Sequence, residues 1–287
     1  MGGLWLARRN WLLGRGDRRG AFKFGFAIAC LTSFAFYGTM HHGSGFFEID
    51  LFIVGIGAAF ILGLLAAALY LSIEPLVRRR WPNYLVGWTR LLAGRFSNAR
   101  VGRDLLVGVA AAVLLRVLGL TTRSLPNWII TPRQMPAGVN LTLSSLFEFA
   151  NLLGVVFTQA MLFWSLAALA MLLFASSIFR SDRIGYAVVW LALFVSMQGG
   201  EWWPYLPVTM IVAGTPLFCL ARFGFLAMCV CFSTAFLLGS APLTADPARW
   251  YFARSCFVLA IPLAISIYGF RAALASRPAF GGDVAGE

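Results

Sequence analysis

The side chains able to do chemistry in this chain are few and widely spaced. His41 and His42 are its only histidines, and Glu48 and Asp50 follow closely. Imidazole and carboxylate together form a zinc-ligand set. Adjacent histidines point in different directions on a helix, so His41 and His42 ligate together easily only from a loop. Ser44 offers a hydroxyl nearby. A nucleophile, however, needs a base within hydrogen-bond reach and a third group to orient it, and the sequence does not indicate that arrangement. Cys30, Cys219, Cys229, Cys231 and Cys256 all lie in apolar runs without C-x-x-C spacing and read as small buried hydrophobes. Arg116, Glu148, Gln198 and Glu201 are isolated polar residues in or beside apolar stretches. A charged group inside a bilayer is costly and often functional. Arg116 sits near the end of its stretch, where it could also snorkel or pair with Glu148 or Glu201. Helix–helix hydrogen bonds explain the uncharged members. No phosphate-binding loop precedes a helix. The chain therefore reads as non-enzymatic and cofactor-free.

The elements that must position these residues are apolar. Of 287 residues, 60% are hydrophobic and 12% charged, and the mean hydropathy is +0.80. Water-soluble domains carry about 25% charged residues. The shortfall excludes a cytosolic enzyme, a secreted disulfide scaffold and a disordered tail, and makes the chain a polytopic membrane protein. Its net charge of +12 would suggest nucleic acid in a soluble protein. In a membrane protein it reflects retention of basic residues on the cytoplasmic side, so no nucleic-acid partner is expected. Arg8, Arg9, Arg15, Arg18 and Arg19 leave no apolar core of signal-peptide length near the N-terminus.

A helix crosses the hydrocarbon core with roughly 20 apolar residues. Eight stretches qualify, with seven to nine a workable range: 22–39, 51–73, 104–120, 153–179, 184–198, 205–221, 223–240 and 251–270. The sixth and seventh form one apolar run broken at Arg222, which predicts a tight helical hairpin. With eight spans and both termini cytoplasmic, 18 of the 23 basic residues fall inside with six of the 11 acids. That leaves the inner face at +12 and the outer near −1. The asymmetry supports this orientation. The fold class is thus all-α: a transmembrane helical bundle at 22–270, a basic cytoplasmic or interfacial segment at 1–21 and a short cytoplasmic tail at 271–287.

Two loops stand out. The cytoplasmic loop 74–103 begins at Glu74-Pro75, where the proline is expected to end the second span. Arg78, Arg79, Arg80 and Trp81 follow. Tyr84, Leu85, Trp88, Leu91 and Leu92 then recur on one arc of a helix opposite Arg90. This pattern predicts an amphipathic interfacial helix near 84–96. Arg78, Arg79, Arg80, Trp81, Trp88, Arg90 and Arg95 would dock anionic lipid, at about 1 kcal/mol per basic residue, or a cytoplasmic partner. The outer loop 121–140 carries Pro126, Pro132 and Pro136.

Arg8–Ala21 (RRNWLLGRGDRRGA), Glu74–Pro82 (EPLVRRRWP), Trp88–Val109 (WTRLLAGRFSNARVGRDLLVGV) and Ala221–Ala227 (ARFGFLA) carry a resemblance. In this order, and over nearly the whole chain, they resemble the C-terminal membrane-spanning module of bacterial serine/threonine protein kinases. The resemblance implies a bacterial inner-membrane location and a link to phosphorylation signalling. It places the kinase domain ahead of Met1, outside this sequence. Arg103-Asp104 lacks the downstream Asn and the D-F-G of a kinase site, so no catalytic residue carries over. The leading expectation is a non-catalytic anchor or sensor, with anionic lipids and a serine/threonine kinase domain as partners. The rival expectation is a small-solute transporter or channel, its path lined by Arg116, Glu148, Gln198 and Glu201.

Overall fold

The computed structural model describes residues 2–14, 16–39, 46–129, 153–154, 156–196, 206–240, 243–249 and 252–274. Every regular element among them is helical. A short α1 (Gly2–Leu12) leads into α2 (Arg18–Thr39), α3 (Phe46–Arg80), the short α4 (Val86–Leu92) of about two turns and α5 (Ala99–Ile129). Then come α6 (Val156–Ile178), α7 (Asp182–Ser196), α8 (Leu206–Arg222), α9 (Phe225–Gly239) and α10 (Phe252–Leu274). Each of the eight apolar stretches corresponds to one helix. Four are long and apolar enough to cross a membrane by length and composition: Arg18–Tyr37, Glu48–Arg80, Val156–Ile178 and Phe252–Leu274. Two shorter apolar helices are α8 and α9. Their outward faces carry large apolar side chains such as Phe26, Phe60, Phe174, Phe218 and Leu263. So much exposed apolar surface fits a bilayer around the bundle.

The helices approach closely where glycines meet. A methyl built on Gly25 of α2 would lie 2.6 Å from the Gly63 carbonyl of α3, and one on Gly63 would lie 2.7 Å from the Gly25 carbonyl. Gly102 of α5 and Gly269 of α10 oppose each other in the same way. Small residues at such crossings let backbones pack without a driving hydrophobic force. Within α6, Gln159–Leu166 is wound as a π-helix, and the Ser165 hydroxyl donates to the Ala160 carbonyl at 2.7 Å. The sequence gives no signal for this widened turn.

Three expectations are corrected. The third helix does not stop at Glu74-Pro75; α3 continues through Pro75 to Arg80. Pro75 has no N–H for the Leu71 carbonyl. The side-chain amide of Asn10 in α1 donates to that carbonyl at 3.1 Å and to Ser72 at 3.4 Å, replacing the missing bond. The outer loop expected at 121–140 begins later, because α5 runs to Ile129; the remainder of that loop lies outside the described residues. The interfacial helix expected near 84–96 is only Val86–Leu92, and its apolar arc is covered by protein.

Candidate functional site

The N-termini of α2, α5, α7 and α9 and the C-termini of α3, α8 and α10 meet at one end of the bundle, and the arginines of 74–103 lie there. We call it the basic rim. Asp17 starts α2 by accepting from the Gly20 N–H at 2.8 Å, an N-cap that satisfies an otherwise orphaned donor. Its own N–H donates to the Glu74 carboxylate at 3.2 Å, and Glu74 is ion-paired with Arg78 one turn on.

At the end of α3 the chain is gripped from α7. The Asp182 carboxylate accepts from Arg80 Nε at 2.9 Å and from Arg80 Nη2 at 2.7 Å. It also accepts from Trp81 Nε1 at 3.1 Å. Asp182 lies in the first turn of α7, where the helix dipole favours a negative charge. Arg80 Nη2 reaches the Ser176 carbonyl as well, at 2.9 Å. The Trp81 ring stacks on Tyr84 at 5.4 Å, and the Tyr84 hydroxyl meets that of Tyr186 at 2.6 Å.

The following loop is wedged between helices. Tyr84 accepts at its carbonyl from the Phe225 N–H at 2.8 Å, pinning the α8–α9 turn. Gly224 makes this possible: its φ is +108°, and a methyl there would lie 2.7 Å from the Tyr84 carbonyl oxygen. Trp88, 2% exposed, stands edge-on between Phe24 at 5.5 Å and Phe225 at 5.1 Å. Lys23 donates to the Leu92 carbonyl at 2.6 Å. Arg90 Nη1 donates to Asn98 Oδ1 at 2.8 Å, and that oxygen also accepts from the Arg100 N–H, starting α5. Asp104, buried against α4, pairs with Arg103 at 3.0 Å.

The seven residues expected to dock lipid or partner thus divide. Trp81 and Trp88 are buried in the chain's own core rather than presented to a bilayer. Arg78, Arg80 and Arg90 are engaged by Glu74, Asp182 and Asn98. Arg79 and Arg95 are exposed and make no ion pair among the described residues. Sequence reasoning passed over Arg180, Arg183 and Arg222, which are exposed at the same end. Their signal is position: each stands at or beside a helix terminus on the predicted inner side.

At the opposite end, Arg116 of α5 is half-buried with Nη1 near Gly239 of α9. Arg254 of α10 is also there, buried, donating from Nη2 to the Ser240 carbonyl at 2.6 Å. Two guanidiniums therefore converge on the carboxyl end of α9, whose partial negative charge they complement. Arg254 falls near the start of the last apolar stretch, 251–270. His41, His42, Glu148, Gln198 and Glu201 lie outside the described residues. Among the described residues no group of three or more His, Cys, Asp or Glu side chains could hold a metal. No protein-family model matches the chain, and no curated protein or solved structure shows significant similarity to it.

Proposed function

We propose that this chain is a non-catalytic integral membrane module, an anchor or sensor, whose basic rim faces the cytoplasm and couples the bundle to a partner there. In this reading the eight helices α2, α3 and α5–α10 all span a bacterial inner membrane, with both termini inside. The observation that carries it is the division of labour at the rim. Asp182, Asn98 and the aromatic wedge hold 74–103 in one shape, while Arg79 and Arg95 stay exposed. A rigid loop with outward guanidiniums suits an acidic protein surface or anionic headgroups. The resemblance to kinase membrane modules makes a serine/threonine kinase domain the first protein partner to test. A kinase domain co-expressed with this chain should sediment with the membrane, and Arg79→Glu with Arg95→Glu should release it. A domain that stays soluble beside the unaltered chain contradicts the kinase link.

A second reading is favoured by one observation, the convergence of Arg116 and Arg254 at the end of α9. It makes the chain a small-solute transporter or channel with Arg116 on the path. Solute flux into proteoliposomes that Arg116→Ala removes, in a protein that still folds, supports this alternative over the anchor.

A further inference from the structure

A groove of about 330 Å³ runs along the outer surface between α7 and α8. Tyr186, Ala187 and Trp190 line it from α7, and Gly214, Leu217 and Phe218 from α8. The walls offer an occupant almost nothing polar. The Tyr186 hydroxyl is already bonded to Tyr84, and Trp190 Nε1 donates across the groove to the Met210 carbonyl at 3.1 Å. Trp190 also lies against Gly214. Ala221, the last α8 residue on its wall, adjoins Arg222 of the basic rim, and there each wall's stripe is continued by an arginine. Arg183, Ala187 and Trp190 follow at i, i+4 and i+7; Gly214, Phe218 and Arg222 follow at i, i+4 and i+8. Arg183 and Arg222 are exposed and make no ion pair among the described residues. From Gly214 to Arg222 the helix rises about 12 Å, which fits within one bilayer leaflet of about 15 Å.

We propose that this groove is a specific site for an anionic phospholipid, with one acyl chain between Tyr186 and Phe218 and the phosphate between Arg183 and Arg222. The apolar walls select a hydrocarbon chain, and the paired guanidiniums at the mouth select a negative headgroup. The site rests on the reading that α7 and α8 lie in the membrane with the basic rim at headgroup depth.

The test uses the full chain in nanodiscs of phosphatidylcholine with a minor fraction of phosphatidylglycerol, followed by detergent release and native mass spectrometry of retained lipid. The unaltered chain should retain phosphatidylglycerol in preference to phosphatidylcholine. Arg183→Gln with Arg222→Gln should weaken that preference about thirty-fold, since two cationic contacts are lost. Ala187→Phe with Ala221→Phe, which fills the groove, should abolish retention of both lipids with the arginines intact. Arg271→Gln, exposed at the same end on α10, should change nothing. All five positions are exposed, so each variant keeps its core. The proposal is overturned if the arginine pair can be removed without loss, or if Arg271→Gln lowers retention equally, the mark of diffuse attraction. Undiminished retention in the filled groove overturns it too. A chain recovered from cells in the soluble fraction overturns the membrane reading itself, and the site with it.

Discussion

The side-chain amide of Asn10 donates to the carbonyl of Leu71, the one that Pro75 leaves without a helical donor. This bond joins α1 to α3 and lets α3 carry its three arginines beyond the proline. An unsatisfied buried carbonyl costs about 1–3 kcal/mol. Asn10→Ala should therefore destabilise the protein by about 1–2 kcal/mol in thermal unfolding in detergent. In a Pro75→Ala background the restored N–H can take over the carbonyl, so Asn10→Ala should cost less there. The two changes should couple by about 1 kcal/mol. Additive effects would show that Asn10 is not replacing the missing bond.

Asp182 holds Arg80 and Trp81 together, with about half of its side chain exposed. At that exposure the ion pair itself contributes about 1 kcal/mol or less. The larger effect of Asp182→Ala should be local. Cleavage by trypsin after Arg79 and Arg80 should accelerate while the global melting temperature falls only slightly. An unchanged cleavage rate would mean that the end of α3 is held by something else.

Trp88 is enclosed by Phe24 and Phe225. Trp88→Ala should cost about 3–5 kcal/mol, as for other large buried aromatics. Arg95→Gln, on the exposed side of the same loop, should stay within about 0.5 kcal/mol. An interfacial tryptophan would behave differently: its loss would alter membrane depth with little effect on unfolding.

Gly224 turns α8 into α9 against Tyr84. A side chain there would meet both the positive φ and the Tyr84 carbonyl. Gly224→Ala should destabilise by more than about 1 kcal/mol, measured by thermal unfolding and by loss of amide protection at Phe225. A neutral effect would place the turn and the loop apart.

Much of the helical plan was legible. Eight apolar stretches became eight helices, and the break at Arg222 became the hairpin between α8 and α9, because length and hydropathy are local properties. What escaped was tertiary. Pro75 predicts a stop only if nothing replaces its hydrogen bond, and the replacement comes from Asn10, far away in sequence. The arc of Leu85, Trp88, Leu91 and Leu92 specifies an apolar face but not whether lipid or protein covers it. Arg80 and Arg79 are indistinguishable as letters; only the position of Asp182 separates a structural arginine from an exposed one. Arg254 is likewise indistinguishable from a loop charge until α9 ends beside it.

The proposed function requires a packed basic rim that faces the cytoplasm with Arg79 and Arg95 exposed upon it. Single cysteines in a cysteine-free background, probed with a membrane-impermeant maleimide, test it most directly. Arg79→Cys and Arg95→Cys should label in inside-out vesicles and not in right-side-out ones, whereas Trp88→Cys should resist labelling in both. Labelling of Arg79→Cys or Arg95→Cys from the outer face, or of Trp88→Cys as readily as its neighbours, would contradict it.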